Sequence, residues 1–294
     1  KQYNHIQNLR KINYDLFLNW QKKKKWEIFN YHFKNNNFYA KFNNNKFPIK
    51  WEDIPSINKS DFQKDLKLIK SNHNRKVYKS NTSGSSGHPF FFTKDKDCHS
   101  RTWAFWKIRY DELGLSFRSK EARFYGIPLE KKSYYKEKIK DYIMSRVRFP
   151  VFDLSDTKLE LYLDEFRKNK FDYIYGYTSA ITIFCKFLLK KKIVLKDICK
   201  SIKVVIVTSE VCTESDRRII KKAIGVNVKN EYGASEVGYL AYECDKKTWH
   251  INEQNVFIEK DVENNLLVTD LYNLSMPFIR YKIGDLGKIS NIKC

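Results

Sequence analysis

Between Thr82 and Gly87 the chain sets four hydroxyl side chains and two glycines into six residues, in a sequence with only ten glycines altogether. Glycine lets a backbone come close to a ligand and take positive φ. Hydroxyls and successive backbone N–H groups can then ring a phosphate. The same composition also suits a Ser/Gly linker. However, His88-Pro89 leads straight into Phe90-Phe91-Phe92, and matching motifs lie downstream. The segment therefore reads as a phosphate-handling loop.

Three further clusters carry chemistry. Asn230-Glu231-Tyr232-Gly233-Ala234-Ser235-Glu236 follows a strand-like run at 226–228. Ligands of open α/β sheets sit beyond the carboxyl ends of the strands. The cluster offers an aromatic face for a base, a glycine and a hydroxyl for a phosphate, and a carboxylate for Mg²⁺. Tyr281-Lys282-Ile283-Gly284-Asp285 ends in a carboxylate able to accept from ribose hydroxyls. Tyr175-Gly176-Tyr177-Thr178-Ser179 and Thr208-Ser209-Glu210 stand at the ends of two neighbouring strands. Singly each is weak, since an Asp after Gly is more often a turn residue than a ligand. Yet Gly84, Gly87, Gly176, Gly233, Gly238, Gly284 and Gly287, seven of the ten glycines, fall in or beside these clusters.

The elements that must position them follow from periodicity. The first 50 residues or so read as a helical lead-in, with Ile6, Leu9 and Leu16 as an apolar stripe. Trp103, Trp106, Tyr110 and Leu113 repeat at helical spacing and predict one buried face. Leu159, Tyr162, Leu163 and Phe166 follow the i, i+3, i+4, i+7 pattern of an amphipathic helix. Strands are expected at 123–127, 171–175, 203–207 and 226–228, and helices at 179–192 and 213–224, the latter capped by Thr213. This alternation predicts right-handed crossovers and a parallel sheet. After Tyr242 the strand-like segments 254–259, 266–271 and 277–282 have no helix between them, with a turn at Asn264-Asn265. The expected organisation is a lead-in over 1–50, an α/β body over 51–245 and a β-rich subdomain over 246–294.

With 42% hydrophobic and 16% aromatic residues the chain should fold to a globular core. No run approaches the ~18 apolar residues of a membrane span, and no secretion signal is evident. Lys1 is not an initiator Met, so the natural N-terminus is expected to precede it. The net charge of +22 invites a nucleic-acid reading, but of 56 basic residues 44 are Lys and only 12 are Arg. Base readout favours Arg, and a phosphate track would be more concentrated than these short, scattered runs. Nucleic acid is therefore not the expected primary partner, while acidic substrates or a membrane surface stay open. The six cysteines form no CxxC pair, which fits a reducing, cytoplasmic setting.

In this order the motifs resemble the adenylate-forming, AMP-binding enzymes of the acyl- and aryl-CoA ligase superfamily. The nearest branch is that of phenylacetate–CoA ligases and CapK-type capsular polysaccharide proteins. Thr82–Pro89 is similar to the family's TSGSTGKP loop. Tyr232–Glu236 matches YGxTE with Ser235 in place of Thr. Pro277-Phe278-Ile279-Arg280-Tyr281 with Gly284-Asp285 matches PLIRYxxGD. The resemblance runs from about Trp51 to the end.

It implies an α/β, parallel-sheet N-terminal body with a small β-rich subdomain, and a mobile C-terminal domain with a catalytic Lys beyond residue 294. The implied reaction is attack of a small carboxylic acid on the ATP α-phosphate, giving an acyl-adenylate and pyrophosphate. Transfer to CoA, or to a sugar or amine acceptor, would follow. By carry-over, Thr82, Ser83, Gly84, Ser85, Ser86 and Gly87 cradle the phosphates, with His88 where the family has Lys, so that one steering charge is lost or pH-dependent. Tyr232 packs on adenine beside Gly233 and Ala234. Ser235 contacts the α-phosphate, Glu236 holds Mg²⁺ and Asp285 binds ribose. Tyr125, Gly126, Tyr177, Ser209 and Glu210 line the acyl and adenine pockets, with plain core packing an equal reading for the two tyrosines. Some members of the branch hold a structural zinc, which would fall here on Cys244, His250 and Cys294, with a fourth ligand past the end. Ordinary thiols and a surface His are as good a reading.

Adenylation by these 294 residues alone is expected to be slow or absent. The leading expectation is an ATP- and Mg²⁺-dependent, AMP-forming ligase, with CoA as an acceptor and a role in cell-surface polysaccharide biosynthesis. The alternative is a non-catalytic relative that binds nucleotide or acyl ligand in a polysaccharide assembly system.

Overall fold

A computed structural model describes residues 1–73, 76–82, 90–128, 130–290 and 294. The chain opens with helices α1 (Gln2–Lys11), α2 (Tyr14–Asn35) and α3 (Asn37–Phe42). Asn13 starts α2 by accepting the N–H of Asp15, and Asn36 starts α3 by accepting that of Tyr39 at 2.9 Å. Then come β1 (Ile57–Asn58), α4 (Leu66–Ile69), the antiparallel pair β2 (Val77–Asn81) and β3 (Phe91–Asp95), and α5 (Lys96–Glu112). An alternating run follows: β4 (Glu121–Phe124), α6 (Lys131–Ile143), β5 (Arg146–Phe149), α7 (Asp156–Lys168), β6 (Tyr173–Tyr177) and α8 (Thr178–Lys190). It continues through α9 (Leu195–Ile198), β7 (Val204–Thr208), α10 (Glu214–Ile224) and β8 (Asn227–Ala234). The last segments are strands: β9 (Gly238–Glu243), β10 (Trp249–Ile251), β11 (Val256–Lys260), β12 (Asn265–Asp270) and β13 (Tyr281–Leu286). Among the described residues no helix is long and apolar enough to cross a membrane.

Two units make up the described chain. One comprises Lys1–Trp106, Gly233–Ala241 and His250–Cys294, the other Lys107–Tyr232 and Tyr242–Trp249. The second unit is built on parallel strands in the order β5-β4-β6-β7-β8, and β9 and β10 extend the same sheet. Parallel neighbours need crossover connections, which α6 to α10 supply. One face of the sheet is apolar: Ala122, Phe124, Phe149, Ile174, Val205, Val207 and Val228 pack on Leu159, Leu163 and Phe166 of α7, Phe184 and Leu188 of α8, and Ile220 of α10. The rings of Phe124 and Phe149 stack at 4.9 Å, and Phe149 stacks on Phe166 at 5.3 Å. Gly176 permits this close strand spacing, because a Cβ there would lie 2.1 Å from the Phe124 carbonyl oxygen.

α10 begins with a capping box between Thr213 and Asp216 and ends on Gly225 at φ +85°. The amphipathic pattern at Leu159, Tyr162, Leu163 and Phe166 is fully buried in α7, as its spacing predicts. The expected buried face of α5 is corrected. Trp103 is 37% exposed, and the buried side chains are Cys98, Arg101, Phe105, Ile108, Arg109 and Tyr110. Two of those are arginines, which a search for apolar periodicity passes over.

In the first unit β1, β13, β12 and β11 form a sheet in that order, parallel between β1 and β13 and antiparallel elsewhere. Asn264 takes φ +66° in the tight connection of β11 to β12, where the sequence places a turn. Phe62, Phe90, Phe278 and Tyr281 form an aromatic cluster with centroid separations of 5.1 to 6.3 Å.

Candidate active site

The carboxyl ends of β4, β6, β7 and β8 carry ten of the residues singled out from the sequence, from Tyr125 to Glu236. Tyr125 and Tyr177 follow β4 and end β6, and their rings meet at 4.3 Å. Burial, then the hydrogen bond with Tyr125, raises the Tyr177 hydroxyl above its ordinary range. Both rings are half-buried, so each keeps an accessible edge. The Gly126 carbonyl accepts from Arg148 Nη1 at 2.6 Å.

Ser209 sits at φ +67°, a left-handed conformation that turns the chain sharply after β7. Glu210 follows, and both of its carboxylate oxygens are engaged. The backbone N–H of Ser179 donates to Oε2 at 2.7 Å and its hydroxyl to Oε1 at 2.9 Å. Glu210 therefore caps the first turn of α8 from the end of the adjacent strand, where a negative charge meets the positive end of the helix dipole.

β8 runs into the motif itself. Asn230 and Glu231 are buried, Tyr232 is half-buried, and Gly233-Ala234 completes the strand. A Cβ on Gly233 would lie 2.5 Å from the Gly238 carbonyl oxygen, so the tight turn into β9 requires glycine. Ser235 stands exposed in that turn, while Glu236 turns inward at 7% exposure. The Tyr281 hydroxyl donates to Glu236 Oε1 at 2.9 Å. Burial first, and the nearby Glu236 charge second, push the Tyr281 hydroxyl well up, so it stays a proton donor. Two separate sequence motifs thus meet through one hydrogen bond. Asp285, of the second of them, lies exposed on β13.

Thr82 donates its N–H to the Phe90 carbonyl at 3.0 Å, extending the β2–β3 pairing. Ser83, Gly84, Ser85, Ser86, Gly87 and His88 lie outside the described residues. On the β9–β10 hairpin, the Cys244 N–H donates to the Thr248 carbonyl at 3.0 Å and His250 follows on β10. The ligand atoms of Cys244, His250 and Cys294 lie within 4.8 Å of one another. A thiolate–imidazole set suits Zn²⁺ in its donor chemistry and not Mg²⁺.

The sequence reading missed the ionic floor of the polar sheet face. Glu121 is fully buried and accepts from Arg123 Nη1 at 2.7 Å, Arg146 Nε at 2.8 Å and the Tyr173 hydroxyl at 2.8 Å. The Arg123 guanidinium lies 4.8 Å from the Tyr125 ring centroid and 4.7 Å from that of Tyr175. The signal was present as strict alternation: Glu121, Arg123 and Tyr125 point one way and Ala122 and Phe124 the other.

No family model matches the chain. It is 28% identical over 304 residues to Protein CapK of Staphylococcus aureus, covering 98% of this chain and 66% of that protein. Its fold is similar to 2-hydroxyisobutyryl-CoA ligase in the postadenylation state with R3-HIB-AMP, at a TM-score of 0.70 and 15% identity over 94% of this chain and 64% of that one. The open conformation of that ligase, in complex with 2-HIB-AMP and CoA, gives a TM-score of 0.63 and 14% identity, covering 90% of this chain and 68% of that one. The chain spans about two thirds of the length of these relatives. The chain shares its α/β, parallel-sheet fold with that ligase.

Proposed function

We propose that this chain is the nucleotide-binding body of an AMP-forming acid–CoA ligase, which activates a small carboxylic acid with ATP. The observation that carries this reading is the placement of Tyr232–Glu236. The motif lies at the carboxyl end of a parallel strand, its tight turn needs Gly233, and its carboxylate is held by a tyrosine from the Pro277–Asp285 motif. A nucleotide site in an α/β sheet belongs at that end.

In the proposed reaction a carboxylate oxygen attacks the α-phosphorus, the bond to the bridging oxygen breaks, and pyrophosphate leaves with that electron pair. Tyr232 offers its exposed edge to adenine. Ser235 supplies a hydroxyl to the α-phosphate, where charge builds. Glu236, a hard oxygen donor oriented by Tyr281, would hold Mg²⁺, which would neutralise phosphate charge when bound. Asp285 accepts from ribose. Tyr125 and Tyr177 border the acid, while Glu210 acts by holding the start of α8, since Ser179 already occupies both of its oxygens. Cys244, His250 and Cys294, with a fourth ligand beyond them, would hold a structural Zn²⁺. A place in cell-surface polysaccharide assembly is proposed from the resemblance of the motifs to the CapK-type branch alone.

ATP–pyrophosphate exchange tests this, using the gene product extended to its natural stop and pools of aryl, acyl and amino acids. Exchange that requires one acid and falls at least ~100-fold in Glu236→Gln is expected. Tight ATP binding with no exchange in any pool would favour the non-catalytic binder.

A further inference from the structure

Helix α6 is attached to the molecule the wrong way round for an ordinary amphipathic helix. Its inward side is polar: Arg148 on β5 donates Nε to Asp141 Oδ2 at 2.8 Å, Nη2 to Asp141 Oδ1 at 2.8 Å and Nη2 to Glu137 Oε2 at 3.1 Å. Its outward side is apolar. Tyr135, Ile139, Tyr142 and Ile143 are 65%, 61%, 87% and 70% exposed, and their i, i+4, i+7, i+8 spacing makes one stripe. At 100° per residue, Lys136 borders that stripe on one side, with Lys140 beyond it, and Lys131 and Lys138 border the other, while Lys132 stands in line with the stripe in the turn before Tyr135. All five lysines are exposed. The two acidic residues of the helix are the two that face Arg148.

We propose that α6 is a docking helix for an anionic lipid bilayer, lying in the headgroup plane with this stripe immersed. A helix with an aromatic and aliphatic strip between rows of lysine matches such a surface in both apolarity and charge. Tyrosine is at home at the membrane–water interface. The net charge of +22 adds long-range attraction to an anionic leaflet. A second copy of this chain fits poorly, because a symmetric pairing would set five lysines against five. The proposal does not rest on the ligase reading.

Vesicle co-sedimentation of the full-length protein tests it, with phosphatidylcholine alone and with about 30 mol% phosphatidylglycerol added. Binding to the anionic vesicles only is expected. It should fall at least ~10-fold in Ile139→Asp/Tyr142→Asp, and comparably in Lys131→Gln/Lys132→Gln/Lys136→Gln. These side chains are exposed, so the melting temperature should stay unchanged. Absence of vesicle binding overturns the proposal, as does undiminished binding by Ile139→Asp/Tyr142→Asp. A wild-type dimer that this variant splits, without vesicle binding, would instead assign the stripe to self-association and overturn it equally.

Discussion

The two faces of the parallel sheet in the second unit are made by the same strands and do opposite things. On one face Phe124, Phe149, Ile174 and Val205 close against α7, α8 and α10 through apolar contacts. On the other, one residue along, Glu121, Arg123, Tyr173 and Tyr175 form charged and hydroxylic contacts that lead up to Tyr125, Tyr177 and the Glu231–Glu236 segment. Stability on the first face comes from buried area, which tolerates any apolar filling of the right volume. On the second it depends on each partner of a buried charge being present. That difference separates scaffold from chemistry more sharply than burial does, since Glu121 is as buried as Phe124.

The contrast can be broken or sharpened by substitution. Phe149→Ala, on the apolar face, should cost about 3–5 kcal/mol in urea unfolding, because two stacked and two edge-on ring contacts are lost together. A loss below about 1 kcal/mol would mean that this core collapses readily around the gap. Glu121→Ala should cost about as much, roughly 3–5 kcal/mol, by stranding two largely enclosed guanidinium groups, 13% and 10% exposed. Here, unlike at Phe149, a second change should help: Glu121→Leu/Arg123→Leu should recover part of the loss. Failure of the double variant to improve on Glu121→Ala would remove the distinction between the faces.

A third test lies in the first unit, where one buried polar group depends on pH. His32 donates Nε2–H to the Asn273 carbonyl at 2.8 Å and accepts from the Ser71 hydroxyl at Nδ1, 2.9 Å away. Burial lowers its pKa from 6.5 to about 4. The unfolded chain therefore takes up this proton first as pH falls. Stability is complete above pH ~6.5 and declines toward pH ~4, by on the order of 3 kcal/mol. Chemical denaturation across that window should show the decline in wild type and its flattening in His32→Gln. A wild-type curve level over the same window contradicts the assignment. The smallest effect is at the exposed rim of the sheet: Glu210→Ala should cost about 1 kcal/mol through the lost cap on α8. A change near zero would leave Ser179 as the sole determinant of that helix start.

Much of this architecture was legible in the sequence, and the reasons are specific. Leu159 to Phe166, Thr213 with Gly225, and the turn at Asn264 each announce an element through local chemistry. The turn after Tyr232 was visible for the same reason, through Gly233. The Glu236–Tyr281 hydrogen bond was not, because it joins residues 45 apart in sequence. β5 and its partner α6 were also hidden. Arg146 and Arg148 make the strand look like a loop, and α6 turns carboxylates inward and tyrosines outward. Both errors have one physical cause: periodicity reports which residues are apolar, and here ion pairs decide which side faces the protein.

Hydrogen exchange of the protein with and without Mg²⁺–ATP addresses the central claim most directly. Slowed amide exchange is expected at 208–210 and 231–237, the strand ends proposed to hold the nucleotide, with α7 and α10 on the apolar face unchanged. Protection confined to those helices, or no difference at 231–237 at saturating ATP, would contradict it.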